Sequence, residues 1–164
     1  MDIQVGKQLA KFAVETRYID IPQEISDFAK GLTLKTVAGM VAGSAKLAGR
    51  KAAKLIKDRK LAEEVGVVGC GFKTSLWEAV FLHALFAHAS ELEDDKFGEG
   101  FAWDITVIPL LFSLAEKIRL SGKALMEAIM EHIGKNPESG LCITKTMQSA
   151  YIATCAAIAK AKGE

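Results

Sequence analysis

The segment that decides the fold is WEAVFLHALFAHASELEDDKFGEGFAWDITVIP, residues 77–109. Its first half is apolar on nearly every side of a helix, and a helix of this kind belongs in the interior of a fold. The pattern therefore predicts a central, buried helix over residues 77–90. Its side chains fall into two sets: Trp77, Val80, Phe81, Ala84, Leu85 and His88 on one face, and Leu76, Ala79, Leu82, Phe86 and Ala89 around most of the rest.

Helices are also predicted on both sides of this segment, because apolar residues recur there at helical spacing. Between two of them, Val65–Phe72 holds three glycines among β-branched residues, which indicates a short extended segment or turn. Thr74 or Ser75 is predicted to cap the central helix, and Ser44 to cap the helix that follows the closing Gly43. The predicted helices are 3–16, 21–43, 44–60, 105–117, 124–133 and 144–161.

Length and composition favour one domain built from helices. A chain of 164 residues suits a single domain over 1–164, and it can bury roughly 70% of the surface that its unfolded form exposes. Half of the residues (50%) are hydrophobic and only 7% are aromatic. Ala and Leu dominate where a sheet would need β-branched runs. The predicted fold class is therefore all-α, a helical bundle.

The formal net charge of +1 conceals an asymmetry along the chain. Residues 1–60 hold 12 Lys/Arg and 6 Asp/Glu, whereas residues 61–164 hold 9 and 14, so the two parts carry +6 and −5. No aromatic residues are interleaved with the basic run and no nucleic-acid motif accompanies it, so a solvated helix face is favoured over phosphate binding. No nucleic-acid partner is expected. The basic run comprises Lys46, Arg50, Lys51, Lys54, Lys57, Arg59 and Lys60.

Cysteine usage and hydropathy indicate where the protein works. Cys70, Cys142 and Cys155 form no CxxC pair, which points to reduced thiols in a cytoplasm. The beginning of the chain lacks the basic start and apolar core of a signal peptide. No apolar run reaches the ~18 residues that a membrane span requires. We therefore expect a cytoplasmic protein with no membrane partner.

The carboxylates after the central helix are the first candidates for chemistry. Glu91 lies three or four residues before Asp94 and Asp95, which places them on one helical face if the helix continues that far. Like charges near an apolar wall raise one pKa, which leaves a proton donor beside an ionised base. His88 lies on the same helix and is the fourth catalytic candidate. The alternatives are a solvated helix end for the carboxylates and a core histidine bonded to backbone for His88.

Three further residues are candidates for binding a substrate. Trp103 and Asp104 either line a pocket or anchor the loop. Lys145 precedes a helix rich in small residues, where the helix dipole disfavours a cation, and this favours contact with an anionic ligand. No metal is predicted, because His83 and His88 are five residues apart rather than four and their side chains diverge. No phosphate loop or dinucleotide fingerprint is present, and no cofactor is predicted.

Five stretches, in this order and spacing, carry a resemblance to a known family: FAVETRYIDIP (12–22), LTLKTVAGMVAGS (32–44), AHASELEDD (87–95), TVIPLLFSLAEK (106–117) and LSGKALMEAI (120–129). Together they resemble the N-terminal part of the MmgE/PrpD family, which includes 2-methylcitrate dehydratase, cis-aconitate decarboxylase and iminodisuccinate epimerase. The resemblance implies an all-helical domain, an active site near the junction with a smaller lid domain, and usually a homodimer without a metal. His88, Glu91, Glu93 and Asp94 match the family's histidine and Asp-rich motif.

The chain departs from that family at two histidines. Catalytic members carry a histidine-proline pair before the apolar helix and a second histidine in the last helix, and these positions hold Ala102–Trp103 and Thr144 here. Members also run longer and include the lid, which we expect this chain to lack. The resemblance therefore implies one component of a lyase or isomerase that acts on a small polycarboxylate and is inactive alone. The alternative is a non-catalytic helical scaffold or interaction module.

Association is the last expectation from the sequence. If the helices that follow in longer family members are missing, the apolar faces that they would cover remain exposed. Contiguous exposed apolar surface promotes association. We therefore expect a homo-oligomer or a complementing chain.

Overall fold

The computed structural model describes Glu15 and residues 17–93, 95–96, 101–102 and 104–133. In this part of the chain a 3₁₀ turn (Tyr18–Asp20) precedes five helices, and two antiparallel pairs of two-residue strands connect some of them. The all-α prediction is confirmed. The helices are α1 (Gln23–Ser44), α2 (Leu47–Asp58), α3 (Leu76–Ala89), α4 (Asp104–Ile118) and α5 (Gly122–Ile133), and the strands are β1 (Val65–Gly66), β2 (Lys73–Thr74), β3 (Asp95–Lys96) and β4 (Phe101–Ala102).

The chain divides into two compact units, Met1–Lys30 with Leu120–Glu164, and Gly31–Arg119. In the described part of the first unit, the 3₁₀ turn contacts α5, because the Tyr18 N–H donates to Glu127 Oε1 at 2.6 Å. The Tyr18 hydroxyl also bonds Ser26 Oγ at 2.8 Å. A single domain over 1–164 stays a prediction. The predicted helices 3–16 and 144–161 lie outside the described residues.

The second unit contains the main apolar core, which α1, α2, α3 and α4 share with the β1–β2 hairpin. Phe86 and Leu82 on α3 are fully buried at its centre. No helix among the described residues combines the length and the apolar character needed to cross a membrane. The buried core cluster comprises Met40, Ala53, Ile56, Val67, Leu82, Phe86, Ala87 and Ile108.

Helices α1 and α3 cross in unusually close contact at Gly43. A Cβ at this position would overlap the Phe86 carbonyl oxygen and lie 2.8 Å from the Phe86 Cα. One turn earlier, a Cβ at Gly39 would lie 2.9 Å from Ser90 Oγ. Glycine at these positions therefore lets the two helix backbones approach closely, and Gly43 also comes one residue before the end of α1.

The buried face of α3 differs from the expectation of a helix covered on all sides. Its buried residues are Ala79, Leu82, His83, Phe86 and Ala87, whereas Trp77 is 72% exposed and Phe81 is 54% exposed. The expectation that the Trp77 face is covered is wrong for the described structure. A helix that is apolar on nearly all sides provides no contrast by which the sequence could select the inward face.

The predicted helix caps are also corrected by the structure. Ser44 does not cap α2, because it is the last residue of α1 and its hydroxyl donates to the Val41 carbonyl at 2.7 Å. Ser75 does occupy the position before α3, but its hydroxyl donates to Glu78 rather than to a helix N–H. The Leu76 N–H donates instead to Glu64 Oε2 at 3.0 Å. A distant carboxylate thus performs the capping role that the local serine was expected to perform.

A buried histidine connects the hairpin to the helices. His83 Nε2 accepts the Val68 N–H at 3.0 Å, so its proton is on Nδ1, which donates to Ser113 Oγ at 2.8 Å. The Ser113 hydroxyl in turn donates to the Pro109 carbonyl at 2.7 Å. Desolvation lowers the pKa of His83 to about 4, against a weaker opposing effect of the Glu116 charge. His83 is therefore a neutral structural residue at ordinary pH.

Candidate functional site

His88 lies in the last turn of α3, where its side chain faces solvent and meets a carboxylate. His88 Nδ1 lies 3.1 Å from Glu93 Oε2, and the two side chains are 65% and 22% exposed. The helix ends at Ala89 and the chain turns back at Glu91, which is exposed and has a φ of 57°. The reversal brings Glu93, rather than Glu91, to the imidazole. Of the alternatives for His88, the buried core histidine is wrong, and that position belongs to His83.

The expected alignment of carboxylates along one helical face is not formed. Glu91 follows the end of α3, so it cannot share a helix turn with Asp94 or Asp95. Asp95 begins β3 and pairs through its backbone with Ala102. Asp94, Trp103 and the side chain of Asp95 lie outside the described residues, as does Lys145. The catalytic and binding roles predicted for these residues stay predictions.

Asp104 is a buried carboxylate that connects two helices of the second unit. It is the first residue of α4 and only 2% exposed. Its Oδ2 accepts a hydrogen bond from Lys35 Nζ at 2.8 Å and another from the Thr36 hydroxyl at 3.1 Å. The Lys35 side chain remains 31% exposed. Asp104 therefore anchors α1 to the start of α4 through a lysine whose side chain is partly exposed.

Helix α1 connects the His88–Glu93 pair with the Lys35–Asp104 pair in the second unit. Helices α3 and α4, which carry His88 and Asp104, pack as neighbours, and residues 90–103 join them along the chain. Helix α1 passes the end of α3, because its Gly39 lies against Ser90. Lys35 is one turn before Gly39 on the same face of α1. Helix α1 thus carries Lys35, which bonds Asp104, and also approaches Ser90, which comes two residues after His88.

Lys35 was not selected as a candidate from the sequence, and Glu93 was named only as part of the family's acidic motif. The signal for Lys35 was present, since it is a lysine beside Thr36 within an otherwise apolar stretch of α1. A cation at such a position needs a buried carboxylate partner, and only the fold identifies that partner as Asp104. Glu93 was not selected because the reversal at Glu91 that brings it to His88 is not visible in a helical pattern.

This arrangement is suited to proton transfer and to holding an anion. A carboxylate bonded to a histidine orients the imidazole, and an oriented imidazole can serve as an acid or a base. A partly exposed lysine provides a positive charge for a substrate carboxylate. Among the described residues, no group of three or more His, Cys, Asp or Glu side chains has the arrangement of a metal site.

The sequence itself matches one known family. The model for the MmgE/PrpD N-terminal domain matches residues 7–133, which is more than half of the 164 residues. The chain belongs to the MmgE/PrpD family. The match includes α1 to α5 together with Lys35, His88, Glu93 and Asp104. No curated protein matches the chain, and no solved structure matches it.

Proposed function

We propose that this MmgE/PrpD chain is a component of a lyase or isomerase that acts on a small polycarboxylate, and that it does not turn over substrate alone. The observation that carries the proposal is the family match over residues 7–133. That range contains Lys35 and Asp104, which form one side-chain pair in the second unit, and His88 and Glu93, which form another. The proposal extends the family assignment to a reaction class.

The proposed roles follow from the geometry of each group. His88, accessible and bonded to Glu93 at 3.1 Å, exchanges a proton with the carbon next to a substrate carboxylate. Lys35 attracts one substrate carboxylate, and the buried Asp104 fixes the position of the lysine. Lys35 and Asp104 are positioning and binding groups, whereas His88 is the group proposed to move the proton.

The proposed lack of independent activity rests on two positions. The histidines that the sequence resemblance leads us to expect in catalytic members are replaced by Ala102 and Thr144. General acid–base groups contribute about 10² to 10⁴ in rate each. A chain without these two histidines keeps a binding site and the His88–Glu93 pair, but it lacks a second acid on the other side of the substrate. A second protein chain is proposed to supply it.

Turnover measurements test this proposal. The purified chain is incubated with 2-methylcitrate, cis-aconitate and iminodisuccinate in turn, and loss of each compound is followed by NMR. We expect no turnover. Robust turnover that Asp94→Ala abolishes would show that the acidic segment suffices and that no second chain is needed. Robust turnover that His88→Gln leaves unchanged would refute the role of His88.

A non-catalytic scaffold is the second candidate, and the exposed apolar side chains favour it. Leu34 is 72% exposed on α1, Leu55 is 66% exposed on α2 and Trp77 is 72% exposed on α3. A scaffold without a ligand site would bind none of the three compounds, whereas the proposed enzyme component binds at least one of them. The free thiol of Cys70 supports a cytoplasmic location for either function.

A further inference from the structure

The side chain of Ser90 closes the turn that follows α3. Its hydroxyl donates to the Ala87 carbonyl at 2.7 Å, and the same oxygen accepts the Leu92 N–H at 3.3 Å. One hydroxyl thus satisfies a carbonyl of the last helical turn and an N–H of the chain that has left the helix. These two bonds bracket Glu91, whose φ of 57° reverses the chain. Ser90 therefore connects the end of α3 to the residues that follow the reversal.

Gly39 of α1 lies directly against this turn. Gly39 is buried, and a Cβ there would lie 2.9 Å from Ser90 Oγ and 3.9 Å from Leu92 Cβ. The first separation is well below the ~3.5 Å at which non-bonded heavy atoms attract best. A methyl group at position 39 would therefore displace Ser90 Oγ from its two hydrogen bonds. The hydroxyl is the end of a short side chain that can rotate, so this displacement does not require the helices to separate.

The residue that follows the turn, Glu93, determines which nitrogen of His88 carries the proton. His88 Nδ1 lies 3.1 Å from Glu93 Oε2. An ionised carboxylate only accepts hydrogen bonds, so in the neutral imidazole the proton is on Nδ1 and the lone pair is on Nε2. A solvated imidazole without such a bond favours the proton on Nε2. The position of the proton therefore reports whether the carboxylate is in place.

We propose that Ser90 is a positioning residue, whose hydroxyl fixes the turn that brings Glu93 to His88 Nδ1. Gly39 is the second part of this arrangement, because its missing side chain leaves room for the Ser90 hydroxyl. Ser90 acts through Glu93, and by keeping the proton on Nδ1 it leaves Nε2 of His88 free to accept one. The use of this nitrogen as a base rests on the proposed function, whereas the positioning of Glu93 does not.

The tautomer of His88 tests the proposal in the full chain without any ligand. NMR of the imidazole nitrogens, recorded at a pH where the ring is neutral, shows which of the two carries the proton. We expect mainly the Nδ1–H form in the natural chain and mainly the Nε2–H form in Ser90→Ala. Glu93→Ala removes the acceptor itself and should give the same change, which calibrates the measurement.

Gly39→Ala is an independent variant for the same test, and Gly31→Ala is its matched control. Both replace a glycine of α1 by alanine, but a Cβ at Gly31 meets no atom within 4 Å. Gly39→Ala should move the proton to Nε2, as Ser90→Ala does, whereas Gly31→Ala should leave it on Nδ1. In the Ser90→Ala background, Gly39→Ala should cause no further change, because the hydroxyl that it displaces is already absent.

Urea unfolding of the same variants separates positioning from a purely structural role. If Ser90→Ala unfolds more readily but keeps the Nδ1–H form, Ser90 only stabilises the helix end and the proposal is overturned. It is also overturned if the natural chain carries the proton mainly on Nε2, or if Gly31→Ala changes the tautomer as much as Gly39→Ala. Failure of citrate to shift the His88 signals would overturn the proposed function and leave the tautomer result standing, because the tautomer is measured without ligand.

Discussion

The close crossing of α1 and α3 leads to a prediction with a matched control in the same helix. In Gly43→Ala the new Cβ would overlap the Phe86 carbonyl oxygen and lie 2.8 Å from the Phe86 Cα. These are backbone atoms, so no rotamer change relieves the overlap and the helices must separate. Overpacking in a core costs about 1–3 kcal/mol. We expect the overlap in Gly43→Ala to lower the free energy of unfolding by about 3 kcal/mol. The higher helix propensity of alanine offsets about 1 kcal/mol of this loss.

Gly31→Ala is the control for that substitution. Gly31 is also within α1, and a Cβ there meets no other atom within 4 Å. It should therefore raise the free energy of unfolding by about 0.5–1 kcal/mol, because alanine favours the helix. Urea unfolding followed by circular dichroism gives both values. A Gly43→Ala variant as stable as the natural chain would refute the close crossing of α1 and α3.

Three further predictions concern the core and the buried polar groups. The pKa of His83 is lowered to about 4 from 6.5, so its contribution to stability is complete above pH 6.5 and is lost as the pH falls towards 4. The loss totals roughly 3 kcal/mol of unfolding free energy. Urea unfolding measured across this pH range should show a weaker pH dependence in His83→Gln than in the natural chain. Leu82→Ala should lower the free energy of unfolding by about 2–5 kcal/mol, and Leu85→Ala should lower it clearly less, because Leu82 is fully buried and Leu85 is only partly buried. Equal losses in thermal unfolding would contradict the orientation of α3. Lys35→Met should lower the free energy of unfolding by about 3–5 kcal/mol, because it removes the cation that bonds the buried Asp104 carboxylate. The double variant Lys35→Met with Asp104→Leu should recover most of this loss in denaturant unfolding. If the losses of the two single variants simply add in the double variant, the pairing of Lys35 with Asp104 is contradicted.

Much of the fold could be predicted from the sequence because periodic apolar residues identify helices whatever their partners. The helices that became α1, α2, α4 and α5 agree with the prediction to within a few residues. Val65–Phe72 also forms the predicted turn, where β1 and β2 pair and Gly69 and Gly71 have φ of 73° and 66°. The seven basic residues around α2 are all exposed, as expected of a solvated helix face.

The remaining features depend on contacts between distant residues, which local patterns do not contain. Helix α3 is apolar on both faces, so only packing against Gly43 decides which face turns inward. For the same reason the histidine bonded to the backbone is His83 and not His88. Asp104 was selected as a candidate from its place before an apolar helix, but its partner Lys35 is 69 residues away and becomes visible only in the fold.

The response of His88 to a polycarboxylate is the most direct test of the proposed site. The full chain is titrated with citrate as the probe, and NMR follows the imidazole of His88 together with the side-chain signals of Lys35 and Lys57. We predict saturable shifts at His88 and Lys35, and none at Lys57, an exposed residue of α2 whose ammonium lies over the Phe72 ring. If His88 does not respond, or if Lys57 shifts as much as Lys35, the proposal that this end of α3 binds a polycarboxylate is wrong.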